Sequence, residues 1–366
     1  MIDACPRCVR RALLVAHLAP RIAALLERPA GRVAGLLGLG EDELITAAAG
    51  PRAAEVRTFL ESLDPRGECD RFDEIGVHAW CGHADRYPPP LRDLDDSPAV
   101  VFGLGRLEVL GTMAREPAVT VVGTRNPSPY GVEVAQALGR GLGAAGVPVV
   151  SGLALGIDAM AHRGCLRGRG VPVAVLACGP DVVYPRRHRR LYEAVRQSGI
   201  VLSELPPGSR PFRWSFPARN RLMAALGRMT VVVEAADPSG SLITTDFARD
   251  LGRAVAAVPG RVTSVVAHGT NNLLRDGAVP ITRTEDVLDE LFGVGVRRVP
   301  SRHVPSGPAD GRLRAALEAA GRSPSVDGIA RELRVTAAEA RAALGRLEAE
   351  GYLVRRDLGG WERAAR

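Results

Sequence analysis

Short apolar runs rich in β-branched residues alternate with longer stretches of helical periodicity across residues 117–292. The runs are AVTVVG, VPVVSG, VPVAVLACG, IVLSEL, MTVVVEA and AVAAVPG, and helical patterns open near residues 131, 156, 187, 219 and 241 between them. Such alternation predicts a parallel sheet whose strands are joined by right-handed helical crossovers. The runs lack the apolar-polar alternation of a strand with one wet face, so helices are expected on both sides of the sheet.

The flanks follow different patterns. In residues 1–85, RRALLVAHLAPRIAALLER repeats its apolar positions at helical spacing, and GRVAGLLGLGEDELITAAAG is broken repeatedly by glycine, which reads as a small helical module. The Pro- and Asp-rich stretch RYPPPLRDLDDSPAV then leads into a short strand at VVFGLG. Residues 293–308 hold three prolines and no period, as a linker does. In residues 309–366 three helical segments precede a Gly-Gly hairpin, the order of a winged helix, and Thr336 with Glu339 forms a capping box at the third helix. The expected fold class is α/β: a Rossmann-like parallel-sheet domain at 86–292, with the helical module before it and, beyond the linker, a winged-helix domain.

With 366 residues, 46% of them hydrophobic, the chain can bury at least one full core. The longest apolar stretch, VPVAVLAC at 171–178, is strand length and far short of the roughly 20 residues that span a bilayer. The opening MIDACPRC has neither a basic nor an apolar leader segment, so a cytoplasmic protein is expected. The net charge is +7, and every cation is arginine because the chain has no lysine. Compositional bias on that scale lowers the meaning of any single arginine, so location must carry the argument. Residues 181–230 contain ten arginines (186, 187, 189, 190, 196, 210, 213, 219, 221 and 228) against Asp181, Glu193 and Glu204. That window alone equals the whole charge excess, as a polyanion-binding face would.

Six cysteines stand at 5, 8, 69, 81, 165 and 178. Cys165 and Cys178 fall inside apolar patterns and read as core. Cys5 and Cys8 form a C-x-x-C, half of a structural zinc site if Cys81 and His83, or Cys69, complete it; free thiols packed on a short helix are the alternative.

In an open parallel sheet, ligands bind beyond the carboxyl ends of the strands. The unusual segments fall there: GTRNPSPYG (123–131), SGLALGID (151–158), CGPDVVYP (178–185), SELPPGSRPFRWSFPARNR (203–221) and EAADPSGSLITT (234–245). Glycines 123, 152, 156, 179 and 240 let a phosphate approach backbone N–H groups at helix starts. A dinucleotide cofactor is not expected, since the first turn lacks G-x-G-x-x-G and the second strand ends in Ser151 rather than an acid. Without lysine there is no Walker-type phosphate loop.

These segments, with FPARNR, VPG and GTNNLLRDGA, resemble the DprA/Smf family (DNA-processing protein A) in the same order, and RYPPPLRDLDDSPAVVFGLG resembles its lead-in. The resemblance covers about 200 residues of the chain. It implies a non-enzymatic protein with a SAM-like helical domain at its N-terminus. Such a protein binds single-stranded DNA without sequence preference, forms homodimers and helps load the RecA recombinase during natural transformation, with no essential cofactor. Carried over residue by residue, Arg125 with Gly123 and Thr124 would contact phosphate, although a loop-packing salt bridge is the plainer role. Arg213 and Phe216 look like the family's basic residue and base-stacking aromatic, with Trp214 between them; a buried loop anchor is the alternative for Phe216. Asn220 and Arg221 are expected at the groove, and Ser151, Gly152, Gly240 and Ser241 as hydrogen-bond donors to phosphate. Asp158 and His162 read as loop-holding residues. The family's arginine in SGLALGID is replaced by Leu155, with Arg163 one turn on as a substitute.

Two other readings use the same rim. A nucleotide phosphoribohydrolase of the LOG type needs Gly-Thr-x-x-Glu at a helix start, and residues 240–244 are Gly-Ser-Leu-Ile-Thr, with no carboxylate to act as acid or base. A small-nucleotide sensor would be separated from a DNA binder by comparing free mononucleotides with an oligonucleotide.

Overall fold

The computed structural model describes residues 2–26, 33–299, 310–323, 325–350, 352–355 and 360–363. They fall into two compact units, Met1–Val299 and Pro300–Arg366.

The first unit is built on one sheet with strands β1 (Ile2–Asp3), β2 (His78–Cys81), β3 (Val100–Gly105), β4 (Ala118–Val122), β5 (Val149–Ser151), β6 (Pro172–Leu176), β7 (Ile200–Ser203), β8 (Gly227–Val232), β9 (Ala254–Ala257) and β10 (Val279–Pro280). Their order across the sheet is β1-β2-β3-β7-β6-β5-β4-β8-β9-β10. From β7 to β10 every neighbouring pair is parallel. Strand β3 joins β7 antiparallel, with Phe102 opposite Ser203, and β2 joins β3 antiparallel.

Five helices come before β3: α1 (Pro6–Leu26), α2 (Val33–Leu37), α3 (Glu41–Ala49), α4 (Ala53–Ser62) and α5 (Pro65–Glu74). The helix α6 (Glu108–Met113) follows β3, the crossovers are α7 (Pro129–Ala144), α8 (Ile157–Arg167), α9 (Arg189–Ser198), α10 (Ser215–Leu226), α11 (Gly240–Asp250) and α12 (His268–Arg275), and α13 (Thr284–Phe292) follows the last strand, β10. Strands β4, β6 and β7 are buried along their whole length, which is why their sequences are uniformly apolar. Helices α7 and α8 meet backbone to backbone: a Cβ on Gly139 would overlap the Ala161 carbonyl, and one on Gly164 the Gln136 carbonyl.

Residues 1–85 carry the helices α1–α5 and two short strands. They supply β1 and β2 to the sheet edge, and Leu14, Leu18, Ile22, Leu44, Ile45, Val56 and Leu60 share a core with Leu205, Trp214 and Ala218. This core is therefore shared between α1, α3, α4 and the segment around the start of α10.

In the second unit α14 (Gly311–Arg322), α15 (Val326–Leu333) and α16 (Ala337–Ala349) precede an antiparallel pair, β11 (Leu353–Arg355) and β12 (Trp361–Arg363). Leu313, Ala316, Ile329, Leu344 and Leu347 form its core. The capping box is present: the Glu339 amide donates to Thr336 Oγ1 at 3.2 Å and the Thr336 amide to Glu339 Oε2 at 2.8 Å. Most of the expected linker, from residue 300, lies outside the described residues. Among the described residues no helix is long and apolar enough to cross a membrane.

Candidate nucleic-acid interface

Strand order reverses at β4. The chain proceeds from β4 through β5 and β6 to β7 on one side, and from β8 to β10 on the other. The loops leaving β4 and β8 therefore diverge around a crevice at the carboxyl ends of the strands, the place where open α/β sheets bind ligands. A cleft of about 410 Å³ opens there, lined by Gly123, Thr124 and Arg125 after β4, Phe216, Arg219 and Asn220 on α10, and Ser239, Gly240, Ser241 and Thr244 at the start of α11.

Glu234, which the sequence analysis passed over, holds the two loops together. Its backbone carbonyl accepts from the Thr124 amide at 2.7 Å. Its carboxylate, 4% exposed, accepts from the Ser128 amide at 2.9 Å and the Ser128 hydroxyl at 2.5 Å. The only signal in the sequence is an acid closing the apolar run of β8. On the other side, Gly156 has φ +77°, and a Cβ there would overlap the carbonyl of Thr124 and the backbone of Arg125. This position requires glycine on both counts.

Beneath the cleft lies a buried ion-containing layer. Arg219 donates to the Val175 carbonyl at 2.6 Å and faces Asp158, whose carboxylate accepts from the Gly152 amide at 3.1 Å. Burial raises the Asp158 pKa and lowers that of Arg219, each opposed by the other's charge. Gly152 is placed here by sterics, since a Cβ would overlap the Arg219 guanidinium. Gly152 and Ser151 are thus buried, and the Ser151 hydroxyl donates to the Val121 carbonyl at 2.7 Å. Their donors serve the fold rather than the rim. Asn220 donates to the Gly240 carbonyl at 3.1 Å, tying α10 to α11 while lining the cleft. His162, wholly buried on α8, is held neutral by that burial, which lowers its pKa to about 4.

At the mouth, the exposed Arg125 guanidinium lies over the Phe216 ring, 5.2 Å from its centre, and makes no hydrogen bond or ion pair among the described residues. Tyr184 also approaches Phe216, with ring centres 5.6 Å apart and planes inclined at 53°. Tyr184, from the loop after β6, is 42% exposed and was not singled out from the sequence. Arg213 is exposed. Trp214 is not part of an interleaved basic and aromatic strip: its indole N–H donates to the Ala19 carbonyl of α1 at 3.0 Å, and the side chain is buried.

Arg221 is a correction to the expected groove. It is 1% exposed, with Nε on Asp96 at 2.8 Å and Nη2 on Glu204 at 2.7 Å. Its position one residue beyond the cleft-lining Asn220 turns it about 100° around α10, toward Asp96 and Glu204.

The basic window divides accordingly. Arg219 and Arg221 are buried, and Arg228 begins β8 at the amino end of the sheet. The exposed arginines 186, 187, 189, 190, 210 and 213 remain on loops and helix starts at the carboxyl rim, with Arg125. Four of these flank the N-terminus of α9, where the helix dipole disfavours cations and no acid occupies the first turn. Leu155 is half-buried beside this layer, and Arg163 is exposed on α8.

A family model described as DNA recombination-mediator protein A matches residues 78–292. Protein Smf of Synechocystis sp. is 41% identical over 208 residues, 57% of this chain and 52% of that protein, so the chain spans about half the length of that curated relative. The X-ray structure of DNA processing protein A from Streptococcus pneumoniae superposes with a TM-score of 0.63 at 30% identity, covering 79% of this chain and 99% of that one. A Helicobacter pylori DNA processing protein A, described as having a unique single-stranded DNA binding mode, superposes at 0.53 with 28% identity, covering 59% and 95%. With more than half of its length matched by the family model, and with rim loops that carry the family's motifs in order, the chain belongs to the DNA recombination-mediator protein A (DprA/Smf) family.

Proposed function

We propose that this protein binds single-stranded DNA without sequence preference along the carboxyl rim of its sheet, acting in the cytoplasm as a homodimer that helps load the RecA recombinase. The observation that carries the reading is the Arg125–Phe216 pair at the cleft mouth. A guanidinium beside an aromatic ring supplies the two kinds of group a single-strand site uses, a cation for phosphate and a ring that stacks on bases without regard to sequence. The exposed arginines around the start of α9 extend the positive field along the same rim. Their unfavourable placement against the helix dipole is relieved when a phosphate binds between them.

A hydrolase is the poorer reading. Among the described residues Asp158 is the one carboxylate lining the cleft, and it is committed to the Gly152 amide and Arg219. We read the second unit as a winged helix that contacts protein, or DNA weakly, rather than one that reads sequence, because exposed Glu339, Glu348 and Glu350 on and beside α16 balance Arg341 and Arg346. A recognition helix that reads bases is normally more basic or polar.

The test is a salt-dependent titration of the full chain with single-stranded and duplex oligonucleotides. Arg125→Ala is expected to reduce the magnitude of the single-strand salt slope by about 0.7 for one lost phosphate contact. Phe216→Ala is expected to cost about 1–3 kcal/mol on single strands, to leave the slope unchanged and to spare duplex binding, whose bases are already stacked. Equal losses on both substrates would sink the reading. RecA loading is tested separately, by strand exchange on DNA already coated with a single-strand-binding protein.

A further inference from the structure

Cys5, Cys8, Cys81 and His83 come from two separate stretches of chain, yet each places one donor atom within 4.8 Å of all the others. Cys5 immediately precedes α1, Cys8 lies in its first turn, Cys81 ends β2 and His83 sits in the turn that follows. The three sulfurs approach the same atom, Nδ1 of His83, at 3.6, 3.5 and 3.7 Å. An imidazole nitrogen carries either one proton or one lone pair, so hydrogen bonding accounts for at most one of these approaches. Four donors converging on one another describe the corners of a polyhedron around a shared centre.

We propose that these four residues hold a structural zinc ion in a closed Cys3His site. Tetrahedral zinc with sulfur near 2.3 Å and nitrogen at 2.0–2.1 Å requires sulfur–nitrogen edges of about 3.6 Å. The observed separations meet that value without rearrangement. Three thiolates and a neutral imidazole leave the complex with one net negative charge, and two features of the fold offset it. The site lies at the N-terminus of a 21-residue helix, where partial positive charge collects. The Cys5 amide also points at Cys81 Sγ, 3.4 Å away.

The turn carrying His83 is itself fixed, since Arg92 donates to the carbonyls of Gly82 at 3.2 Å and Ala84 at 2.8 Å. All four ligand positions are filled by protein, so the ion has no open position for substrate and its role is to clip chain to chain. The strand pairing beside the site is short: β1 pairs with β2 at Ile2↔Ala79 and Asp3↔Trp80. Cys69, half-buried on α5, is not among the four ligands.

The full chain, purified under reducing conditions without chelator, is expected to contain one zinc per chain by elemental analysis. After release of zinc with a mercurial, cobalt(II) is expected to restore the site with the intense visible bands of a tetrahedral ion and a thiolate charge-transfer band. Cys8→Ser and His83→Ala are expected to lower zinc affinity at least tenfold, His83→Cys to retain one zinc, and Cys69→Ser to change nothing. Should Cys8→Ser fail to fold, the cobalt spectrum of the unmodified chain decides alone. Substoichiometric zinc, an octahedral cobalt spectrum, a disulfide among the three cysteines, or zinc content indifferent to Cys8→Ser and His83→Ala would overturn the assignment.

Discussion

Arg221 donates to Glu204 across 2.7 Å from a position that leaves it 1% exposed, so an arginine in the most basic stretch of the chain is a structural cation. Burial raises the Glu204 pKa, and the Arg221 charge opposes that rise. Removing the cation leaves Asp96 and Glu204 facing each other without compensation. Arg221→Ala is therefore expected to destabilise the first unit by about 3–5 kcal/mol, whereas Arg125→Ala stays within about 0.5 kcal/mol of the unmodified protein. Denaturant midpoints of the two variants check this, and similar midpoints would show that Arg221 is not structural.

Glu234 is expected to matter to binding without touching the ligand. In Glu234→Ala the Ser128 amide and hydroxyl lose their acceptor, and the loop that aims Arg125 is left with the backbone bond from the Thr124 amide to the carbonyl of residue 234. Single-strand affinity is expected to fall about tenfold, or 1.4 kcal/mol, with faster hydrogen exchange at the Ser128 amide. Weaker binding with unchanged exchange would instead place Glu234 in direct contact with the ligand.

His162 gives the fold a pH dependence whose sign follows from burial. Its pKa is about 4 in the folded protein and about 6.5 when exposed. The unfolded chain therefore takes up the proton first as pH falls, and stability is full above about pH 6.5 and lost progressively toward pH 4. The accumulated loss is on the order of 3 kcal/mol. His162→Gln should flatten the stability profile between those values; parallel profiles would show that His162 does not titrate there.

Removing residues 309–366 is expected to leave single-strand affinity within tenfold, about 1.4 kcal/mol, because the exposed arginines at the rim belong to the first unit. A larger loss in a fluorescence anisotropy titration would assign DNA contact to α16 and its neighbours.

The parallel strands were legible because each is a buried apolar run followed by a helix, and AVTVVG became β4 as read. The same logic placed the segments from Gly123 and from Gly240 beside one cleft. What escaped the reading was long-range pairing. Strand β1 is two residues long and β2 four, too short for any period to show. Arg221 looks like its neighbours in sequence, and its partner Asp96 is 125 positions away. Trp214 is likewise anchored to Ala19, 195 positions away. Local pattern carries no record of such partners, so neighbouring basic and aromatic residues read as one surface, whereas the fold buries Trp214 and Arg221 and leaves Arg213 exposed.

The adjacency of β4 and β8 also sets the order in which the molecule becomes competent. Ser128 and Glu234 are 106 positions apart, and the chain between them includes β5, β6 and β7 with their helices. Closing so long a loop costs conformational entropy before the contact returns any, so the cleft belongs to the late, non-local part of folding. A chain emerging from the ribosome presents Arg125 and Phe216 before it has Glu234 to aim the loop between them. Synthesis must pass β8 before the rim has a shape to offer.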